Sequence, residues 1–115
     1  MKDFNKSIEL DSTAPLTFYN LGILYAEMKN YKLAIENYTK AIQLNSNYAE
    51  AYNNRATIYY AQKNYTAAMT DLTKAIETDP NDSLYYKNRA KIYDVLGDKK
   101  RAKADMEKYK SLGGR

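Results

Sequence analysis

The chain repeats itself every 34 residues. Asn30-Tyr31 returns as Asn64-Tyr65 and, altered, as Asp98-Lys99; Tyr25 returns as Tyr59 and Tyr93, and Ala34 as Ala68 and Ala102. Gly22, Ala56 and Ala90 keep a second small position, and Ala41-Ile42 recurs as Ala75-Ile76, with Ser7-Ile8 one period earlier. A fixed period of this length points to a solenoid, in which each unit buries its apolar face only by stacking on its neighbours.

Within a unit the apolar residues follow helical spacing: Phe18, Leu21, Gly22 and Tyr25, then Tyr31, Ala34, Ile35, Tyr38, Ala41 and Ile42. Two helices per unit follow. The separators Met28-Lys29-Asn30, Gln62-Lys63-Asn64 and Leu96-Gly97-Asp98 each end in a side chain able to accept from free helix amides, so Asn30, Asn64 and Asp98 are expected N-caps. Between units, "LNSNYAE" and "TDPNDS" break the pattern, and Pro80 cannot extend a helix already under way. The spacing predicts helices near 2–11, 15–28, 31–45, 49–62, 65–78, 83–96 and 99–112. The expected fold class is all-α, a helix-turn-helix repeat solenoid of about seven helices.

Composition removes several functions. Without cysteine or histidine the chain has no disulfide, thiolate or imidazole chemistry and lacks the commonest zinc ligands, so neither a metal site nor a cofactor is expected. Four scattered glycines supply no phosphate-cradling loop. No converging acid-base constellation is readable, and the chain is not expected to be an enzyme. Mean hydropathy is −0.75, no apolar run is long enough to cross a bilayer, and no charged-then-apolar leader is readable at Met1. A cytoplasmic setting without membrane contact is the expectation. The net charge of +4 gathers toward the last third, from Lys87 to Arg115, where a solvated helix face is favoured over a phosphate-binding patch.

The pattern resembles the tetratricopeptide repeat family over essentially the whole chain. Leu21-Gly22, Tyr25, Ala34, Tyr38 and Ala41 carry the resemblance in the first full unit, and Tyr52, Ala56, Tyr59, Ala68, Leu72, Ala75 and Pro80 in the second. Tyr86, Ala90, Tyr93, Ala102 and Met106 carry it in the third. Elsewhere the family's proline is replaced by Ser12, Ser46 and Gly114, and the small position of Ala41 and Ala75 becomes Tyr109, which suits an array that ends there. The resemblance implies a right-handed superhelix with a concave groove. The expected organisation is one domain over 1–115: the second helix of a partial repeat at 1–14, then repeats at 15–48, 49–82 and 83–115, the last closed by a capping helix.

Arg55 and Arg89 occupy the slot that Leu21 holds in the first unit. Sixteen residues on, the first unit has Asn37, whereas the others have Asp71 and Asp105. Leucine goes with asparagine and arginine with aspartate, so ion pairs Arg55–Asp71 and Arg89–Asp105 are expected between the helices of a unit. The tyrosine series Tyr25, Tyr59 and Tyr93 is assigned to packing.

Asn20, Asn54 and Asn88 stand one period apart. In the family this slot lines the groove and hydrogen-bonds the backbone of an extended bound peptide; bonding within the array or facing water remains the alternative. Helical projection places Tyr19, Ile23 and Glu27 beside Asn20, Asn53, Thr57 and Tyr60 beside Asn54, and Lys87, Lys91 and Asp94 beside Asn88. Co-chaperone members grip a terminal carboxylate with a lysine and an asparagine, then an asparagine, then two basic residues. Here those positions hold Tyr19 and Ile23, then Asn54, then Leu84 and Asn88; only Asn54 agrees, so that class of tail is disfavoured. The stretch "DPNDS" fails as a calcium loop at Leu84 and Ala90, leaving Asp82 or Ser83 as a cap.

Phe4, Ser7, Ile8 and Leu10 align with a second helix whose first helix is missing, which suggests a fragment of a longer array or a weak homodimer through Phe4 and Ile8. The expected function is a non-catalytic module that presents a peptide groove to a protein partner. The alternative, nucleic-acid or acidic-surface binding through the basic last repeat, lacks the exposed aromatic platform of a single-strand binder.

Overall fold

A computed structural model describes residues 14–114, which form six α-helices: α1 (Ala14–Glu27), α2 (Tyr31–Leu44), α3 (Ala49–Ala61), α4 (Tyr65–Thr78), α5 (Ser83–Val95) and α6 (Lys99–Ser111). There is no strand among the described residues. The expected helix near 2–11, with Phe4, Ile8 and the suggested homodimer contact, lies outside them. Every other helix stands within two residues of its expected bounds.

Local chemistry sets those bounds. The Oδ1 atoms of Asn30, Asn64 and Asp98 accept from Leu33 N, Ala67 N and Arg101 N at 3.3, 3.4 and 3.1 Å, and Asp82 Oδ1 accepts from Leu84 N at 3.0 Å. Just before these caps the backbone turns left-handed, with φ of 61° at Lys29, 63° at Lys63 and 84° at Gly97. The amides of Asn30, Asn64 and Asp98 reach back to the carbonyls of Tyr25, Tyr59 and Tyr93 at 2.9, 2.8 and 2.8 Å. One turn geometry is thus built three times. Glycine adopts it without strain, whereas each lysine gives up about 1 kcal/mol.

The helices pack as pairs, α1 with α2, α3 with α4 and α5 with α6, while α2 meets α3 and α4 meets α5. Close approach falls on the small positions: Ala34, Ala41, Ala68 and Ala75 are wholly buried, and Ala56 and Ala90 nearly so. At Gly22 the Tyr38 ring lies so near the backbone that an added Cβ would overlap it, so glycine is required there by contact rather than by conformation. Tyr38, Leu72, Tyr85 and Ile92 fill the space between the small positions. Tyr25, Tyr59 and Tyr93 are half-buried. Tyr109 is buried, with the Gly114 backbone against its ring and the Lys87 ammonium 5.5 Å from its centroid.

The described array measures 52 × 27 × 21 Å. Along it the first helices of successive units also touch, α1 with α3 and α3 with α5. That shared wall positions the candidate site.

Candidate peptide groove

Each first helix presents one stripe to the shared wall, and positions 34 residues apart fall into rows. One row holds Asn20, Asn54 and Asn88; another holds Tyr19, Asn53 and Lys87; a third holds Ile23, Thr57 and Lys91. Asn20, Glu27, Thr57 and Lys91 are exposed, whereas Tyr19, Ile23, Asn54, Tyr60, Lys87 and Asn88 are half-buried and Asn53 is buried.

The burial of Asn53 follows from a run of hydrogen bonds that crosses all three first helices. Asn88 Nδ2 donates to Asn53 Oδ1 at 2.8 Å, Asn53 Nδ2 to Asn54 Oδ1 at 3.3 Å, and Asn54 Nδ2 to Tyr19 Oη at 3.1 Å. Asn54 and Asn88 therefore bond within the array, while Asn20 stays exposed. Asn88 uses only part of its capacity and keeps its carbonyl oxygen. Burial raises the Tyr19 phenol above its ordinary value and pushes Tyr38 up to about 12, in each case against a hydrogen bond to Asn54 that lowers it.

Between α3 and α5 the wall opens into a cavity of about 110 Å³. Ala56, Leu72 and Ile92 make its floor, with Thr57, Tyr60, Asn88 and Lys91 around it. An apolar floor with polar groups at the rim can seat one aliphatic side chain while the rim orients main chain. The Thr57 hydroxyl is exposed and donates to Asn54 O in its own helix at 2.6 Å.

The arginines stand behind this wall. Arg55 binds Asp71 through Nε and Nη2, both at 2.8 Å, and its Nη1 donates to Thr39 Oγ1 at 3.0 Å in the preceding unit. Arg89 binds Asp105 in the same way at 2.8 and 2.9 Å. Each guanidinium lies between two rings of its own helix: Arg55 is 5.8 Å from Tyr52 and 5.9 Å from Tyr59, and Arg89 is 5.9 Å from Tyr86 and 5.7 Å from Tyr93. Hydrogen bonding to the aspartates raises both guanidinium pKa values further, so these charges are fixed and already satisfied.

Two residues beside the groove were not singled out by sequence reasoning. Tyr48, the backbone N-cap of α3, lies 5.1 Å from Tyr19 ring to ring, and Glu50 follows in the first turn. Tyr48 sits in the linker between units, where no helical period marks it. Leu84, at a carboxylate-clamp position, is an exposed leucine. No group of residues suited to a metal ion occurs among the described residues.

Stacked helix pairs with a continuous inner wall define a helical-repeat solenoid. A tetratricopeptide repeat family model matches residues 15–48 and 49–82, and a second tetratricopeptide repeat model matches 72–104. The chain belongs to the tetratricopeptide repeat family. Among solved structures it is similar to the first TPR domain of Spaghetti (RPAP3), bound to the HSP90 peptide SRMEEVD, with 26% identity and a TM-score of 0.87 over 91% of this chain and 83% of that one. The second TPR domain of Spaghetti, bound to the same peptide, is 30% identical with a TM-score of 0.82, over 85% of this chain and 91% of that one. The Arabidopsis OM64 TPR domain is 29% identical with a TM-score of 0.84, over 87% and 83%. No curated relative matches the chain by sequence. No helix among the described residues is long and apolar enough to cross a membrane.

Proposed function

We propose that the chain is a non-catalytic interaction module that holds an extended segment of a protein partner along the wall of α1, α3 and α5, in a cytoplasmic setting. One observation carries the reading: a row of like amide side chains, Asn20, Asn54 and Asn88, runs along the same wall as the apolar cavity between α3 and α5. Amides with spare donors and acceptors hold main chain whatever its side chains, and the cavity selects one of them. Two similar structures hold a peptide, which supports the class of ligand. The peptide itself is not carried over, because Tyr19, Ile23, Leu84 and Asn88 replace the basic and amide groups that grip a terminal carboxylate.

The test places a photo-reactive amino acid at Thr57, on the groove, or at Thr70, exposed on α4. Cross-links formed in lysate of the source cell are then mapped by mass spectrometry. Peptide adducts from position 57 that are absent from position 70, and that persist as salt is raised, are expected. Equal adducts from both positions overturn the groove, and loss of binding with a steep salt slope points instead to nucleic acid.

A further inference from the structure

The two ends of the groove differ in chemistry. At the α5 end Lys91 rims the cavity. At the α1 end Tyr19 and Tyr48 lie 5.1 Å apart with their planes 31° from parallel, both half-buried, with Tyr38 6.0 Å beyond Tyr19. Glu50 stands exposed at the second position of α3, two residues after Tyr48. Its carboxylate raises the pKa of both the Tyr19 and the Tyr48 phenol, and joins Asp79 and Asp82 in raising that of Tyr85, although burial is the larger cause for each. The rim at the start of α3 is therefore negative as well as aromatic. A carboxylate in a first helical turn is stabilised by the helix dipole, but that leaves its oxygens open to a partner. Glu50 makes no hydrogen bond or ion pair among the described residues.

Six other rings among the described residues lie under cations of the chain itself. Arg55 lies over Tyr52 and Tyr59, Arg89 over Tyr86 and Tyr93, Lys108 over Tyr86, Lys87 over Tyr109 and Lys40 over Phe18. Among the described residues no cation lies over Tyr19 or Tyr48. We propose that Tyr19, Tyr48 and Glu50 form a subsite for one basic side chain of the segment held in the groove. The proposal rests on the peptide-groove reading and names its ligand class: a segment with an arginine or lysine at the α1 end. Ring faces attract a cation, the carboxylate neutralises it, and a planar guanidinium meets both demands better than an ammonium. The preference is opposite to that of a groove that grips acidic tails.

The test sorts a displayed library of random twelve-residue peptides on the folded chain, on Glu50→Lys and on Tyr19→Leu. The wild-type chain is expected to enrich arginine plus lysine at one peptide position about tenfold over input, the ratio that a preference of about 1.4 kcal/mol gives. Glu50→Lys, at an exposed position where only the small helix-dipole stabilisation is lost, should abolish that enrichment, and Tyr19→Leu should reduce it. Peptides that enrich without a basic position, or keep it in Glu50→Lys, overturn the subsite and leave the groove standing. A library from which nothing enriches overturns both.

Discussion

Arg55 closes on Asp71 with two near-parallel hydrogen bonds, Nε to Oδ2 and Nη2 to Oδ1, each 2.8 Å long. The side chain of Asp71 is 5% exposed and that of Arg55 17%, so the pair is largely removed from water. Arg55→Ala leaves a buried carboxylate unpaired and should cost about 3–5 kcal/mol. The first unit shows what replaces the pair: Leu21 and Asn37, with Asn37 Nδ2 donating to Leu33 O at 2.9 Å in its own helix. The double variant Arg55→Leu, Asp71→Asn should therefore recover most of the loss in urea denaturation. Strictly additive losses from the two single variants would remove the coupling.

The paired helices, their caps and these ion pairs were legible in the sequence because each repeats. An arginine that changes together with an aspartate 16 residues away, twice, reports a contact without any structure. The Asn53 bonds were not legible, since the same slot is Tyr19 in one unit and Lys87 in the next. Their formation depends on the separation of α1, α3 and α5 and on amide orientation, neither of which a period encodes. Tyr48 stayed hidden for a related reason: it lies between helices, and only tertiary stacking brings it to Tyr19.

Tyr85 is 1% exposed, and its hydroxyl is buried without a hydrogen-bond partner among the described residues, in a cluster with Ala49, Ala56, Leu72 and Ile92. An unsatisfied buried hydroxyl costs about 1–3 kcal/mol, and phenylalanine keeps the ring while deleting it. Tyr85→Phe should leave the fold unchanged and raise the denaturation midpoint. A loss of 1 kcal/mol or more, by analogy with the removal of a typical hydrogen bond of about that size, would mean that the hydroxyl has a partner in solution.

Alkaline pH should unfold the array through its buried phenols. Burial pushes Tyr38 from the ordinary value of 10.0 to about 12, and it raises Tyr19, Tyr48 and Tyr85 in the same direction. A folded-state pKa above the unfolded one means that the fold favours the protonated phenol. Its contribution is complete below pH 10.0 and is lost as pH climbs through about 12. Denaturation midpoints should fall across that window, with tyrosinate absorbance rising alongside. Lysines also titrate there, so Tyr38→Phe is the control: the stability difference between it and the parent should change with pH, and a constant difference would exclude Tyr38 as a source.

The asparagines of the groove should separate by burial rather than by row. Asn53 is 4% exposed and bonded on both sides, accepting from Asn88 at 2.8 Å and donating to Asn54 at 3.3 Å, whereas Asn20 is exposed. Asn53→Ala strips a donor from Asn54 and an acceptor from Asn88 at half-buried positions, and should cost about 1–3 kcal/mol. Asn20→Ala, on the exposed surface, should fall within about 0.5 kcal/mol of the parent. Tyr19→Phe removes only the terminal acceptor of the run and should lie between the two. Because α1, α3 and α5 are joined through these amides, Asn53→Ala should also speed hydrogen exchange in α3 and α5 together, which a purely local cavity would not do. Equal costs at Asn20 and Asn53 would show that the amides add nothing to the stacking already supplied by the small residues behind them.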